Sequence, residues 1–454
     1  MTHSLIKLWR YAFPYLQDKP LTHPSYLAVG IGFLFGSFLL FGSSTRSAKR
    51  RLTSLGAESP ARVKMTEPHT VVILGASIGG LPIAHYLMKH SMPAMKTLKV
   101  VLVSPNKDFF WCLASVRGIL PNMLPEDKLF YPIAPLFEKY PEDQFEFVVG
   151  KAERLDPSKQ LILVSVTDDS SRELHYDTLI IATGSAAKGG MPFKNLESTD
   201  KTKMSIQRWQ QEIKLAKSIV IAGAGQTGSE VAGELGEEYA SKGLKEITLV
   251  VKDDLPLSPP VRDNIRRAVK SSLEKLKVHV IRASQVTSVC QSGVGGGKIL
   301  EITNQNGNKM TVEVDVYIPA FGTVPNSHFA LAHMLDASNR FKQTLDLRAD
   351  GYENIFVIGD VGNLQTPNAK HVDDQVIQLS KILPAYLNGL ELPKYVPDNS
   401  IVFAVSLGKG GGTGQLKSVK LFSLAVWLLK SRYLGTNYAS ELAAGNRTMQ
   451  SSSW

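Results

Sequence analysis

An α/β fold of two Rossmann-like dinucleotide-binding domains behind an N-terminal transmembrane helix is predicted by three observations. A glycine-bearing turn between an apolar strand and a helix occurs twice, at residues 75–80 and 223–228. Each copy is followed at nearly the same distance by a second strand, and later by a closing strand with a small-residue turn. Ahead of both lies an uncharged stretch of 17 residues, 26–42. The 454 residues suffice for two or three domains, and 43% apolar with 20% charged residues is an ordinary globular balance.

Taking the elements in order, "YLAVGIGFLFGSFLLFG" at 26–42 reaches the lower end of the length that crosses a hydrocarbon core of ~30 Å as a helix. We read 26–43 as a membrane anchor rather than a signal-peptide core or a buried helix, because a clear small-x-small cleavage site is lacking. The basic cluster Arg46, Lys49, Arg50 and Arg51 follows it. By the positive-inside rule the body then stays in the cytosol, or in the matrix of an importing mitochondrion. Residues 1–25 begin with an amphipathic pattern (Leu5, Leu8, Trp9, Ala12, Phe13) that suits either mitochondrial targeting or an interfacial helix. No glycine follows Met1, which excludes N-myristoylation.

Charge limits the function classes. The net charge is +10, but residues 1–64 carry nine Lys/Arg against Asp18 and Glu58 and so hold +7 of it. The body is nearly neutral and has no basic stripe interleaved with aromatics, which argues against nucleic-acid binding. Cys112 and Cys290 are too few for a disulfide framework, and the ten histidines show no paired ligand spacing, so no metal site is expected.

The first turn, in "VVILGASIGGLPIAHYLMKH", reads Gly75-Ala76-Ser77-Ile78-Gly79-Gly80, with serine at the middle glycine position; the second reads Gly223-x-Gly225-x-x-Gly228. In such a turn the first glycine bends the chain, the second admits a pyrophosphate to the backbone, and the third packs helix on strand. Twenty-nine residues separate Gly75 from Ser104 at the next strand end, and 28 separate Gly223 from Val251. "LIIATGS" (179–185) and "VYIPAFGTVPN" (316–326) close the units, and "NIFVIGDVGN" (354–363) delivers Asp360 to a glycine turn.

This order resembles the two-dinucleotide-binding-domain flavoproteins over residues 70 to about 390. The resemblance implies an FAD domain with an NAD(P)H domain inserted into it. The expected limits are 67–190 and 327–395 for the FAD domain and 191–326 for the insert. A basic linker at 44–66 precedes them and a membrane- or quinone-side segment at 396–454 follows. Ser104 and Val251-Lys252 stand where an acid usually meets the ribose, so NADH and NADPH both stay open.

Three branches demand different residues. A CxxxxC dithiol is absent. The segment "NKDFFWC", Asn106 to Cys112, fits the spacing of single-cysteine disulfide or peroxide reductases, although its apolar neighbours and the lack of an adjacent cation suit a packed thiol. A third branch needs only access for a quinone. Three stretches, "VVLVSPNKDFFWCLASVRGIL", "GAGQTGSEVAGEL" and "VSLGKGGGTGQLKSVKLFSLAVWLLKSRYLG", resemble the apoptosis-inducing-factor-like, mitochondrion-associated family that includes the ferroptosis-suppressor NAD(P)H:quinone oxidoreductases.

That resemblance implies FAD contacts at 75–80, Ser104, Arg117, Ala152 and Asp360, with NADH or NADPH at Gly223, Gly225, Gly228 and Gly322. It places Glu230 near nicotinamide and flavin, and Lys430 on the quinone side. The chain departs from the family at Phe110, Trp111, Cys112 and Gly435, which leaves the acceptor open between a quinone, another small molecule and the substrate of a biosynthetic tailoring oxidoreductase. "LFSLAVWLL" (421–429), too short to span a bilayer, suits either a membrane surface or a domain-closing helix. The oligomeric state is not legible.

Overall fold

Val71–Leu74 and Ile219–Ala222 are uninterrupted apolar runs, the pattern of strands covered on both faces. In the computed structural model each is a central strand of a parallel sheet. The structure describes residues 68–454 apart from 94, 167–169 and 294–295. The predicted membrane anchor at 26–43, with segments 1–25 and 44–66, lies outside the described residues. Among the described residues no helix is long and apolar enough to cross a membrane.

β1 (His69–Leu74) leads through the first glycine turn to α1 (Gly80–Tyr86) and β2 (Leu98–Ser104). After a covering segment come β3 (Phe145–Asp156), β4 (Leu161–Val166), β5 (Ser171–His175) and β6 (Thr178–Ile181). Helix α2 (Thr199–Leu215) precedes β7 (Ser218–Ala222), α3 (Gln226–Glu238), β8 (Glu246–Val250), α4 (Asp263–Lys275), β9 (His279–Ile281) and β10 (Val316–Pro319). The chain returns with β11 (Ile355–Val357) and α5 (Ala369–Leu387). It continues into β12 (Val402–Ser406), β13 (Gly412–Leu416), β14 (Val419–Leu421) and the short helix α6 (Ser423–Val426), which a π turn, Trp427–Ser431, prolongs.

The larger sheet has the order β11-β6-β1-β2-β3-β4-β5, and the smaller β9-β8-β7-β10. Strand β11 pairs in parallel with β6, Ile355 beside Leu179, although the whole smaller sheet lies between them in sequence. Between β9 and β10 a three-stranded antiparallel layer (Ser284–Gln291, Lys298–Asn304, Lys309–Val314) covers one face of the smaller sheet through Leu300, Ile302 and Val314, packed on Val220 and Val250. Strands β12, β13 and β14 form a separate antiparallel sheet, which brings the 402–435 segment against α3. The described residues from 68 onward make one compact unit.

Candidate functional site

The two glycine turns are one construction made twice. Gly75 has φ +103° and Gly223 φ +101°, which side-chain-bearing residues rarely adopt. A Cβ on Gly75 would lie 2.4 Å from the Ala182 carbonyl oxygen, and one on Gly223 2.7 Å from that of Ala320. A Cβ on Gly80 would lie 1.9 Å from the Gly75 oxygen, and one on Gly228 1.8 Å from the Gly223 oxygen, so the third glycines let helix pack on strand. The second position differs. A Cβ on Gly225 meets no atom within 4 Å, so that backbone faces open space, and Ser77, half-buried, is its counterpart. Ala76 and Ile78 are buried in the core, which leaves the turn's backbone to any ligand.

The other predicted contacts gather at the strand ends. Ser104 closes β2, and its Oγ accepts from the Asn106 N–H (3.1 Å); Asn106 Oδ1 is buried with no partner among the described residues. Ala152, buried on β3, adjoins a bulge, and Gly322 has φ +70° beyond β10. Asp360, buried in the turn after β11, accepts from Ser185 Oγ (2.9 Å) and Lys194 Nζ (2.8 Å). Burial pushes its carboxyl up, but the Lys194 ammonium and the hydrogen bonds hold it below the ordinary aspartate value. Lys194 and Ser185 were not singled out in the sequence, because they follow a small-residue turn where no periodicity marks a side chain.

Lys194 also corrects the reading that no cation neighbours Cys112, since the two groups interact electrostatically. Burial nonetheless dominates and pushes the thiol up, Asp360 adds to this, and Lys194 only partly offsets them. The result is a protonated, poorly nucleophilic sulfur.

Helix α3 carries a second constellation. Glu230, Glu234 and Glu237 fall at i, i+4 and i+7, so one face presents three carboxylates, and each grips another segment. Glu230 Oε1 accepts from Lys430 Nζ (2.5 Å) and from the Ser406 N–H (3.1 Å), and Lys430 also donates to the Ala404 carbonyl (2.9 Å). Glu237 accepts from the Lys409 and Gly410 N–H groups (2.6 and 3.0 Å).

Glu234 takes a two-point bond from Arg117 (Nε 2.8 Å, Nη2 2.7 Å), and the same guanidinium donates to the carbonyls of Ser431 (2.8 Å) and Arg432 (3.2 Å). Arg117 is thus committed to joining α3 and the 431–432 carbonyls, where the resemblance implied a flavin contact. Burial raises the Glu234 carboxyl above the ordinary glutamate value, and Arg117 opposes that. Gly233 allows this docking, because a Cβ there would sit 2.6 Å from Leu407 Cα. Glu230 and Lys430, separated by 200 residues, are therefore brought into direct contact. The stripe was legible as helical spacing, but nothing in the sequence named its partners.

A dinucleotide fits the turns: open space at Gly225, walls closed by Gly80 and Gly228, and, next to Ser104, the buried Asn106 Oδ1 that has no partner among the described residues. The model of the pyridine nucleotide-disulphide oxidoreductases matches residues 69–378. "Oxidoreductase ptaL" of Pestalotiopsis fici is 37% identical over 355 residues, covering 77% of this chain and 92% of its own. "Ferroptosis suppressor protein 1" of Taeniopygia guttata is 25% identical over 381 residues, covering 82% and 95%. The structure of NDH2 from Plasmodium falciparum in complex with NADH aligns with TM-score 0.65 at 14% identity, over 82% of this chain and 99% of that one, a likeness of fold.

Proposed function

The chain belongs to the pyridine nucleotide-disulphide oxidoreductase family, whose members use FAD and NAD(P)H, and from that premise we propose a membrane-associated NAD(P)H:quinone oxidoreductase of the ferroptosis-suppressor type. The observation that carries this reading is the Glu230–Lys430 pair, which joins the helix after the second glycine turn to a tail segment beyond residues 69–378, the part that the family model matches. When bound, FAD supplies a hydride acceptor that passes two electrons onward. Gly75, Ser77 and Gly80 would hold its pyrophosphate on backbone N–H groups, and Asp360 would orient its ribityl chain. Gly223, Gly225 and Gly228 would do the same for NADH or NADPH.

Glu230, buried and held by the Ser406 N–H, fixes the Lys430 ammonium at the end of the π turn. That ammonium is a proton-bearing group with one side still open to solvent or ligand. Reduction of a quinone to a quinol needs two electrons and two protons; the hydride brings both electrons and one proton, and solvent supplies the other, with Lys430 Nζ as its last station. The raised thiol of Cys112 speaks against a cysteine-based reductase. We read residues 26–43 as the anchor and a mitochondrial membrane as the location, with the body in cytosol or matrix.

The test is anaerobic. The full chain in detergent with FAD is given NADH or NADPH, and the loss of the flavin's visible band is followed before and after addition of a short-chain ubiquinone. Bleaching that the quinone reverses is the expected result, with Glu230→Gln slowing the second phase at least tenfold. Bleaching that no quinone reverses would overturn the acceptor assignment.

A further inference from the structure

Residues 399–440 contain Lys409, Lys417, Lys420, Lys430 and Arg432 and no aspartate or glutamate. Lys430 is engaged by Glu230, whereas Lys417, Lys420 and Arg432 are exposed. Within the same segment, β14, α6 and the π turn expose Val419, Phe422, Leu424, Leu428 and Tyr433, with Phe422 68% and Leu424 61% accessible. Single exposed apolar side chains are ordinary, but five large ones within fifteen residues, bordered by cations and free of acids, are not. Arg432 lies over the rings of Trp427 and Tyr433 (5.3 and 4.8 Å), which gives that border the mixed aromatic and cationic character of a headgroup layer.

We infer that residues 417–433 form a platform that seats on an anionic lipid surface independently of the 26–43 anchor, with Phe422, Leu424 and Leu428 entering the acyl boundary and Lys417, Lys420 and Arg432 meeting the headgroups. Charge decides the occupant: a protein partner for this patch would need an acidic apolar face, while an anionic bilayer offers both properties at once. Three cations at such a surface strengthen binding roughly a hundredfold over a neutral one at moderate salt. The platform begins in the hairpin before α6 and runs into the turn that carries Lys430. Its value for delivering a lipid-dissolved quinone rests on the function proposed above; lipid seating itself does not.

Hydroxyl-radical footprinting of the full chain, in detergent and in nanodiscs of neutral lipid with or without about a third of phosphatidylserine, reads the patch directly even though residues 26–43 hold the protein to every disc. Protection of Phe422, Leu424 and Leu428 that is strongest on anionic discs, and reduced by Lys417→Glu/Lys420→Glu, is the expected result. Equal labelling in all conditions would overturn the inference. So would protection without lipid, which assigns the patch to residues 1–64 if independent of protein concentration and to a second copy if dependent on it. The charge-reversed variant should keep turnover with a water-soluble quinone and lose at least fivefold with a long-chain quinone in anionic discs. Absence of all quinone turnover would sink the proposed function and leave the footprint standing.

Discussion

The Arg117–Glu234 pair offers the sharpest test of how the tail segment is held. Its side chains are 3% and 0% exposed, and both carboxylate oxygens accept from the guanidinium. Glu234→Leu leaves Arg117 buried with only the Ser431 and Arg432 carbonyls as acceptors. Removing one partner of a buried ion pair costs about 3–5 kcal/mol, because the other charge stays desolvated. Arg117→Met strands the carboxylate in the same way and also takes the donor from the buried Ser431 carbonyl, a further ~1–3 kcal/mol.

The double variant removes both charges and keeps only the carbonyl penalty, so it should be more stable than either single. In urea unfolding of the flavin-loaded full chain, the expected coupling is about 2 kcal/mol or more, with Arg117→Met the least stable of the three. Singles that each cost below about 1 kcal/mol, or that add within about 0.5 kcal/mol, would refute the view that the pair is dry and that it clamps α3 to residues 431–432.

Other outcomes follow from the same geometry. Asp373 is buried beneath the Thr448 hydroxyl and the Met449 and Gln450 N–H groups, and burial raises its carboxyl to about 6 from 3.8. A carboxyl raised on folding stabilises at low pH and loses that contribution as pH climbs through about 6. Asp373→Asn should therefore gain up to roughly 3 kcal/mol on the wild type between about pH 3 and 8, about 1.4 kcal/mol of it above pH 5, less whatever the amide's geometry forfeits; a pH-independent difference in melting temperature would contradict this. Gly225→Ala should leave the melting temperature unchanged and raise KM for NADH or NADPH about tenfold. Gly228→Ala, with 1.8 Å to the Gly223 oxygen, should lower the melting temperature itself, as thermal scans would show. The alkylation rate of Cys112 should keep rising past pH 9 without a plateau, and a midpoint below 9 would revive a redox role for that thiol. Gly233→Ala should cut quinone turnover at least tenfold although no charge is removed, because its Cβ pushes Leu407 away from α3.

What the sequence made legible follows from the range of the forces involved. The strand, glycine turn and helix at 69–86 and 218–238 are set by local backbone geometry, so Gly75, Gly80, Gly223 and Gly228 announce themselves by spacing alone. The apolar runs at β1, β7 and β11 are likewise enough to predict parallel strands. Pairings across the fold leave no such trace. Lys194 reaches Asp360 across 166 residues and Arg117 reaches Glu234 across 117, and no periodicity connects either pair. The resemblance picked out Glu230 and Lys430 singly, but their contact depends on how β12 and the π turn settle on α3, a matter of packing between distant segments. For Arg117 it implied a flavin contact, and its hold on Glu234 and the 431–432 carbonyls left no trace in the sequence.

The three carboxylates of α3 give the tail segment its meaning. A stretch without a single acid between Asp398 and Glu441 would find little reason to settle on a neutral helix. Glu230, Glu234 and Glu237 supply the counter-charge, and they do so on the helix that follows the second glycine turn. The same contacts therefore set the position of Lys430 and tie it to the Gly223–Gly228 turn through one rigid element. A shift of the tail by a side-chain diameter would break the Glu230–Lys430 bond before it disturbed either sheet. The site is consequently more fragile than the fold, and variants such as Gly233→Ala, which spare the charges and the sheets, separate the two.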